Sequence, residues 1–155
     1  MSRKNIAMSD DECWAFLRDQ PFGTLSTIDG QGFPHAVSTA FVVGDGELRL
    51  TSFAKAQKVV NLRRDPRAAV LIEVTAPYVE VRGVLLRGEI EVRDDPEEAL
   101  EIMLGIRAQH ERLIPDVLAQ QPEVPYEETA LKRVAMTLRP TRIASWDHRK
   151  LNGQY

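Results

Sequence analysis

The sequence predicts a mainly β protein: a small closed barrel of six or seven antiparallel strands with helices at its edges. Three observations predict it. Apolar stretches of strand length recur from residue 22 to 93 and again from 131 to 146, with glycine, aspartate and proline turn chemistry between most of them. A single long helical segment, 94–121, interrupts the series. The 155 residues suffice for one domain and one core, and they contain no repeat, low-complexity tract or linker.

Residues 9–19 read as a helix, with Ser9 as cap, Glu12 completing a capping box, and Trp14, Phe16 and Leu17 as its apolar contacts. Pro21 ends it. Residues 22–28 form the first strand, and Asp29-Gly30-Gln31-Gly32 is a hairpin turn. The second strand covers 33–43, and Gly44-Asp45-Gly46 turns the chain into a third at 47–52. A short helix at 56–64 stops at Asp65-Pro66. Arg67–Val74 is apolar enough for a central strand. After Pro77, Tyr78–Arg93 is a long strand region with Gly83 and Gly88 inside it, either two strands or one bent at a bulge. Asp94-Asp95-Pro96-Glu97-Glu98 is a strong helix start, with a cap, a first-turn proline and acids matched to the helix dipole. That helix runs to about Leu113, Pro115 ends or kinks it, and Val117–Gln121 adds a turn. Residues 122–129 form a polar connection. Leu131–Leu138 is the last core strand, and Pro140 leads into an extended piece ending at Trp146, at the start of the 145–155 tail.

Hydrophobic residues make up 43% and charged residues 28%, the balance of a soluble globular chain. No apolar run reaches the length of a membrane span, and Met1–Asp11 lacks the apolar core of a signal peptide. Cys13 is the only cysteine, which excludes an internal disulfide and points to the cytoplasm. A net charge of -3 argues against a nucleic-acid partner. Arginine outnumbers lysine 15 to 5, so Lys55 and Lys58, close together, stand out.

They follow Thr51 and Ser52, two hydroxyls at a strand end, and lie at the start of the 56–64 helix. Hydroxyls, a helix N-terminus and two ammonium groups together suit a phosphate. The same lysines read equally as a solvated helix face, and the glycines of a P-loop or Rossmann turn are absent. His110-Glu111 opens like a zinc-protease motif, but no second histidine follows, and no other cluster has metal spacing. His110 reads as part of a polar helix face, His35 as a half-buried structural histidine, and Cys13 as a buried inert thiol. No nucleophile–base pair is evident, so no catalytic residue is assigned.

Four segments, in order, resemble the split β-barrel flavoproteins related to pyridoxamine 5′-phosphate oxidase. They are Gly32-Phe33-Pro34-His35, the Thr51–Arg67 block with Lys58-Val59-Val60-Asn61-Leu62-Arg63-Arg64-Asp65-Pro66-Arg67, Tyr78–Gly83, and Ser145–Leu151. The resemblance implies a split barrel over residues 1–155 and an oxidoreductase using FMN or coenzyme F-420. It implies Thr51, Ser52 and Lys58 at the cofactor phosphate. The family often carries arginine just before that lysine; here the position is Gln57, with Lys55 as a substitute charge. It implies the backbone of Val37, Ser38 and Thr39 at the ring edge. It also implies a homodimer with the cofactor at the interface, acting on a small molecule.

Trp146, His148 and Arg149 read either as a docked terminus or as a substrate wall with an anion contact. The 61–67 run and the 145–149 segment look closest to the F-420-associated branch, so an F-420-type reductase is favoured. The alternatives are an FMN-dependent pyridoxamine 5′-phosphate oxidase, with Arg149 at a second phosphate, and a non-catalytic flavin carrier or sensor.

Overall fold

A computed structural model describes residues 6–74 and 77–151. Residues 1–5 of the expected domain and 152–155 of the expected tail lie outside the described residues. Helix α1 (Asp10–Arg18) opens with the capping box read from the sequence. Glu12 N donates to Ser9 Oγ at 3.2 Å, and Ser9 N donates to Glu12 Oε2 at 2.7 Å. It buries Cys13, Phe16 and Leu17. Burial pushes the Cys13 thiol above its ordinary pKa.

Seven strands follow: β1 (Phe22–Ile28), β2 (Pro34–Ala40), β3 (Val42–Val43), β4 (Leu48–Phe53), β5 (Arg67–Val74), β6 (Arg82–Arg93) and β7 (Arg133–Asp147). They form one sheet in the order β2-β1-β5-β6-β7-β4-β3, and neighbours are antiparallel. The single strand expected at 33–43 divides at Phe41. Its first half pairs with β1 and its second with β4, at opposite edges of the sheet. Phe41 is fully buried, so the chain bends where its ring enters the core. One residue thus ties the two edges together, and the sheet curls into a split barrel. Leu25, Leu50, Val70, Ile72, Val84, Leu86, Met136 and Leu138 fill its interior.

Three further elements differ from the sequence expectation. Tyr78–Glu80 is a 3-10 turn rather than strand, closed by Glu80 N donating to Pro77 O at 2.7 Å. β7 runs unbroken through Pro140, because the register steps from Arg87↔Arg142 to Gly88↔Pro140 and leaves Thr141 as the extra residue of a bulge. Gly88 is needed there, since a Cβ would meet Arg139 O at 2.7 Å. The stretch expected as a connection holds a short helix, fixed by burial of Ala130.

Helix α2 (Gln57–Arg64) ends at Asp65, as read. Helix α3 (Pro96–Leu113) is capped by Asp95, whose Oδ1 accepts from Glu97 N and Glu98 N. Two short helices, α4 (Pro115–Leu118) and α5 (Tyr126–Ala130), complete the insertion. Arg49 of β4 holds α3 to the barrel through Glu101 at 2.8 Å and Glu98 at 3.3 Å. No helix among the described residues is long and apolar enough to cross a membrane.

Candidate functional site

Where β4 ends and α2 begins, Leu48 and Leu50 point into the core and anchor the strand. Val59 and Leu62 do the same for α2. Anchored on those faces, the two elements bring Thr51, Ser52, Phe53 and Lys58 to one cavity of about 360 Å³. Ser38, Thr39 and Ala40 of β2 line its side, and Arg133 stands at the start of β7, opposite Phe53.

The insertion supplies the facing wall. Met103, Ile106, Arg107 and His110 lie three and four residues apart, so one face of α3 turns toward the cavity. Leu118, Gln121, Val124 and Tyr126 continue it. Arg107 lies 5.7 Å from the Tyr126 ring centroid.

Among the described residues, no carboxylate lines this cavity. Burial lowers the pKa of Lys58, and the Arg133 charge lowers it further. Burial alone lowers that of Arg133, whose guanidinium carbon is 4.4 Å from the Phe53 ring centroid. Thr51 Oγ1 donates to Val134 O at 2.9 Å, a bond that fixes the strand end. Lys58 and Arg133, with Arg107 across the cavity already paired to Glu111, together with hydroxyls and a largely apolar wall, fit a molecule with an anionic end and a flat apolar body.

A family profile described as pyridoxamine 5′-phosphate oxidase matches residues 9–147. The chain belongs to that family. Among solved structures, it is similar to the conserved hypothetical protein Rv2991 from Mycobacterium tuberculosis. Identity is 34% over 100% of this chain and 94% of the other, with a TM-score of 0.83. It is also similar to an F420 reductase, at 25% identity over 83% and 93% of the two chains and a TM-score of 0.63. The fold recurs in an FAD-binding protein from Mesorhizobium loti, at 18% identity, 90% and 94% coverage and a TM-score of 0.64. No curated protein matches the chain.

Of the positions that the pyridoxamine 5′-phosphate oxidase resemblance singled out, Ser38, Thr39, Thr51, Ser52 and Lys58 share the cavity. Val37 is half-buried beside it and does not line it. Lys55 is exposed and outside the lining. Gln57 is turned away: its Nε2 donates to Asn61 Oδ1 at 2.8 Å, and Asn61 Nδ2 donates to Thr27 Oγ1 at 3.0 Å.

The C-terminal group lies elsewhere in the chain. Trp146 and His148 border a second hollow with Glu73, Val81 and Leu85. His148 Nδ1 is 2.7 Å from Tyr78 O. Arg149 is bound to Asp147, with Nε 2.9 Å from Oδ1 and Nη2 2.6 Å from Oδ2.

Arg133 went unread in the sequence, and His110 was read differently from what the structure shows. His110 is buried rather than on a polar face, with Nε2 3.2 Å from Pro21 O and its ring 4.9 Å from that of Phe22. The 103, 106, 107, 110 spacing was the available signal for the α3 wall. Nothing local marks Arg133, which only the β4–β7 pairing delivers.

Proposed function

We propose that this protein is an oxidoreductase that holds a flavin or deazaflavin, with an F-420-type reductase favoured over an FMN enzyme. The observation that carries it is the cavity at the β4–α2 junction, lined by Lys58 and Arg133, by a largely apolar wall and by no carboxylate among the described residues. Membership of the family and similarity to an F420 reductase support the same reading. When bound, the ring system supplies the hydride chemistry. The chain's part is placement. Lys58 balances phosphate charge, Ser52 offers a hydroxyl, and Met103, Ile106 and Val124 exclude water.

A pyridoxamine 5′-phosphate oxidase would use Arg149 for a second phosphate, and Arg149 is already engaged by Asp147. That favours a small organic hydride partner of another kind. Cys13, single and buried, is in keeping with the cytoplasm.

The reading includes a homodimer. Cross-strand pairing aligns Ser38, Thr24, Leu71, Leu85 and Ala144 in one uncharged row on the outer sheet face. Glu73 flanks that row on one side. On the other, Arg87 and Arg142 stand directly opposite one another, and neither forms an ion pair among the described residues. Two-fold packing of this row would set Glu73 of each copy against the arginines of the other.

Equilibrium binding of F-420 and FMN to the purified apoprotein tests the cofactor. Lys58→Ala should weaken the preferred one by about 1.5–3 kcal/mol, the range of a charge-assisted hydrogen bond. Binding of neither cofactor would reject the reading. Reduction of the bound cofactor with turnover of an acceptor would distinguish an enzyme from a carrier.

A further inference from the structure

The cavity holds a cation that no local motif announces. Arg133 lies opposite Phe53 in the β4–β7 ladder, with its guanidinium against the Phe53 ring. Its Nε is buried and has no hydrogen-bond acceptor among the described residues. Neither Arg133 nor Lys58 has a carboxylate partner among the described residues, yet both line the same cavity. Two like charges half-withdrawn from water repel one another, and the Arg133 charge disfavours the charged form of Lys58. A buried N–H without an acceptor adds to that cost. An anion between them would relieve both.

The neighbouring position cannot serve. Gln57 is committed to Asn61, and Asn61 to Thr27, so this side chain seats α2 on the barrel instead of reaching the cavity.

We propose that Arg133 is the second cationic ligand of a phosphate group in this cavity, acting with Lys58 in the role that residue 57 does not fill. The identity of the molecule carrying that phosphate rests on the oxidoreductase reading above; the phosphate seat itself does not. The planar guanidinium presents parallel N–H groups to two phosphate oxygens, while Lys58 acts as a point charge. The Phe53 ring holds the guanidinium in place and keeps water from one face. Ser52 lines the same cavity.

The test uses the full chain and ligand pairs that differ by the phosphate: FMN against riboflavin, and F-420 against its phosphate-free deazaflavin core. Arg133→Gln should weaken the phosphate-bearing member about 10–100-fold. The phosphate-free member should bind unchanged, which also reports that the variant is folded. Arg133→Lys should recover part of the loss. Whichever pair shows the selective loss names the source of the phosphate. Equal losses for both members of a pair, or none, would overturn the proposal.

If wild type binds neither cofactor, the oxidoreductase reading fails, and inorganic phosphate then tests the seat alone. The Arg133 Nε–H resonance, assigned by its absence in Arg133→Gln, should shift on phosphate addition and stay still in chloride of equal ionic strength. A resonance unmoved by phosphate would overturn the proposal.

Discussion

The indole of Trp146 sits on Gly83, its cross-strand partner, so closely that a Cβ at position 83 would stand 2.3 Å from Cζ2 and 2.5 Å from Cε2. Gly83 is buried, so the ring fills the space that any side chain there would take. Gly83→Ala should therefore expel the indole and cost about 1–3 kcal/mol, the usual range for overpacking. The check is urea unfolding together with Trp146 emission, read in a Trp14→Phe background. An unshifted spectrum and an unchanged midpoint would show that the ring has somewhere else to go.

A second prediction concerns how α2 is held. Asn61 is fully buried and links Gln57 to Thr27 of β1, itself buried. Asn61→Ala leaves the Thr27 hydroxyl without its donor in a dry site. The expected loss is about 1–3 kcal/mol. Because the same contact seats the helix carrying Lys58, cofactor affinity should fall with stability. Gln57→Ala, at the outer end of the chain of bonds, should do much less.

How much of this was legible follows from what each feature depends on. Ser9 and Glu12 form their box, and Asp29 closes its turn through Gln31 N and Phe33 N, because both are contacts within four residues. β1 and β5 were readable from alternation and turn residues alone. Phe41 was not readable as a dividing point, since the pattern of 33–43 is continuous and only closure of the sheet splits it. Pro140 looked like a strand break because the bulge that accommodates it is a property of the β6–β7 register. The site divides the same way. Thr51, Ser52 and Lys58 are close in sequence and were found; Arg133 joins them from more than 70 residues away. His110 looked polar by its neighbours and is buried by Phe22 and Pro21.

The proposed dimer makes a charge prediction. Light scattering should give twice the 17.5 kDa chain mass. Glu73→Arg should shift the protein toward monomer, because it would set like charges against Arg87 and Arg142. Adding Arg87→Glu and Arg142→Glu should restore association. A Glu73→Arg protein that stays dimeric would place the interface on another face.

The last prediction separates the two consequences of one lysine. Burial, and secondarily Arg133, hold the pKa of Lys58 below its usual 10.5. In the folded apoprotein the group therefore gives up its proton at a lower pH than it does when unfolded. Unfolded chains then bind more protons across the interval between the two values, so stability rises with pH through that window. Lys58 costs the fold most below its folded pKa, and the cost fades above it. Phosphate binding has the opposite sign. It needs the ammonium form, so affinity falls as pH rises through the folded pKa, beginning below the ordinary lysine range. Urea midpoints of wild type minus Lys58→Met should climb with pH, while wild-type cofactor affinity declines over the same interval. Lys58→Arg, which stays charged, should flatten the decline in affinity. If affinity and stability moved in the same direction across that interval, Lys58 would be a solvated helix residue and not a ligand.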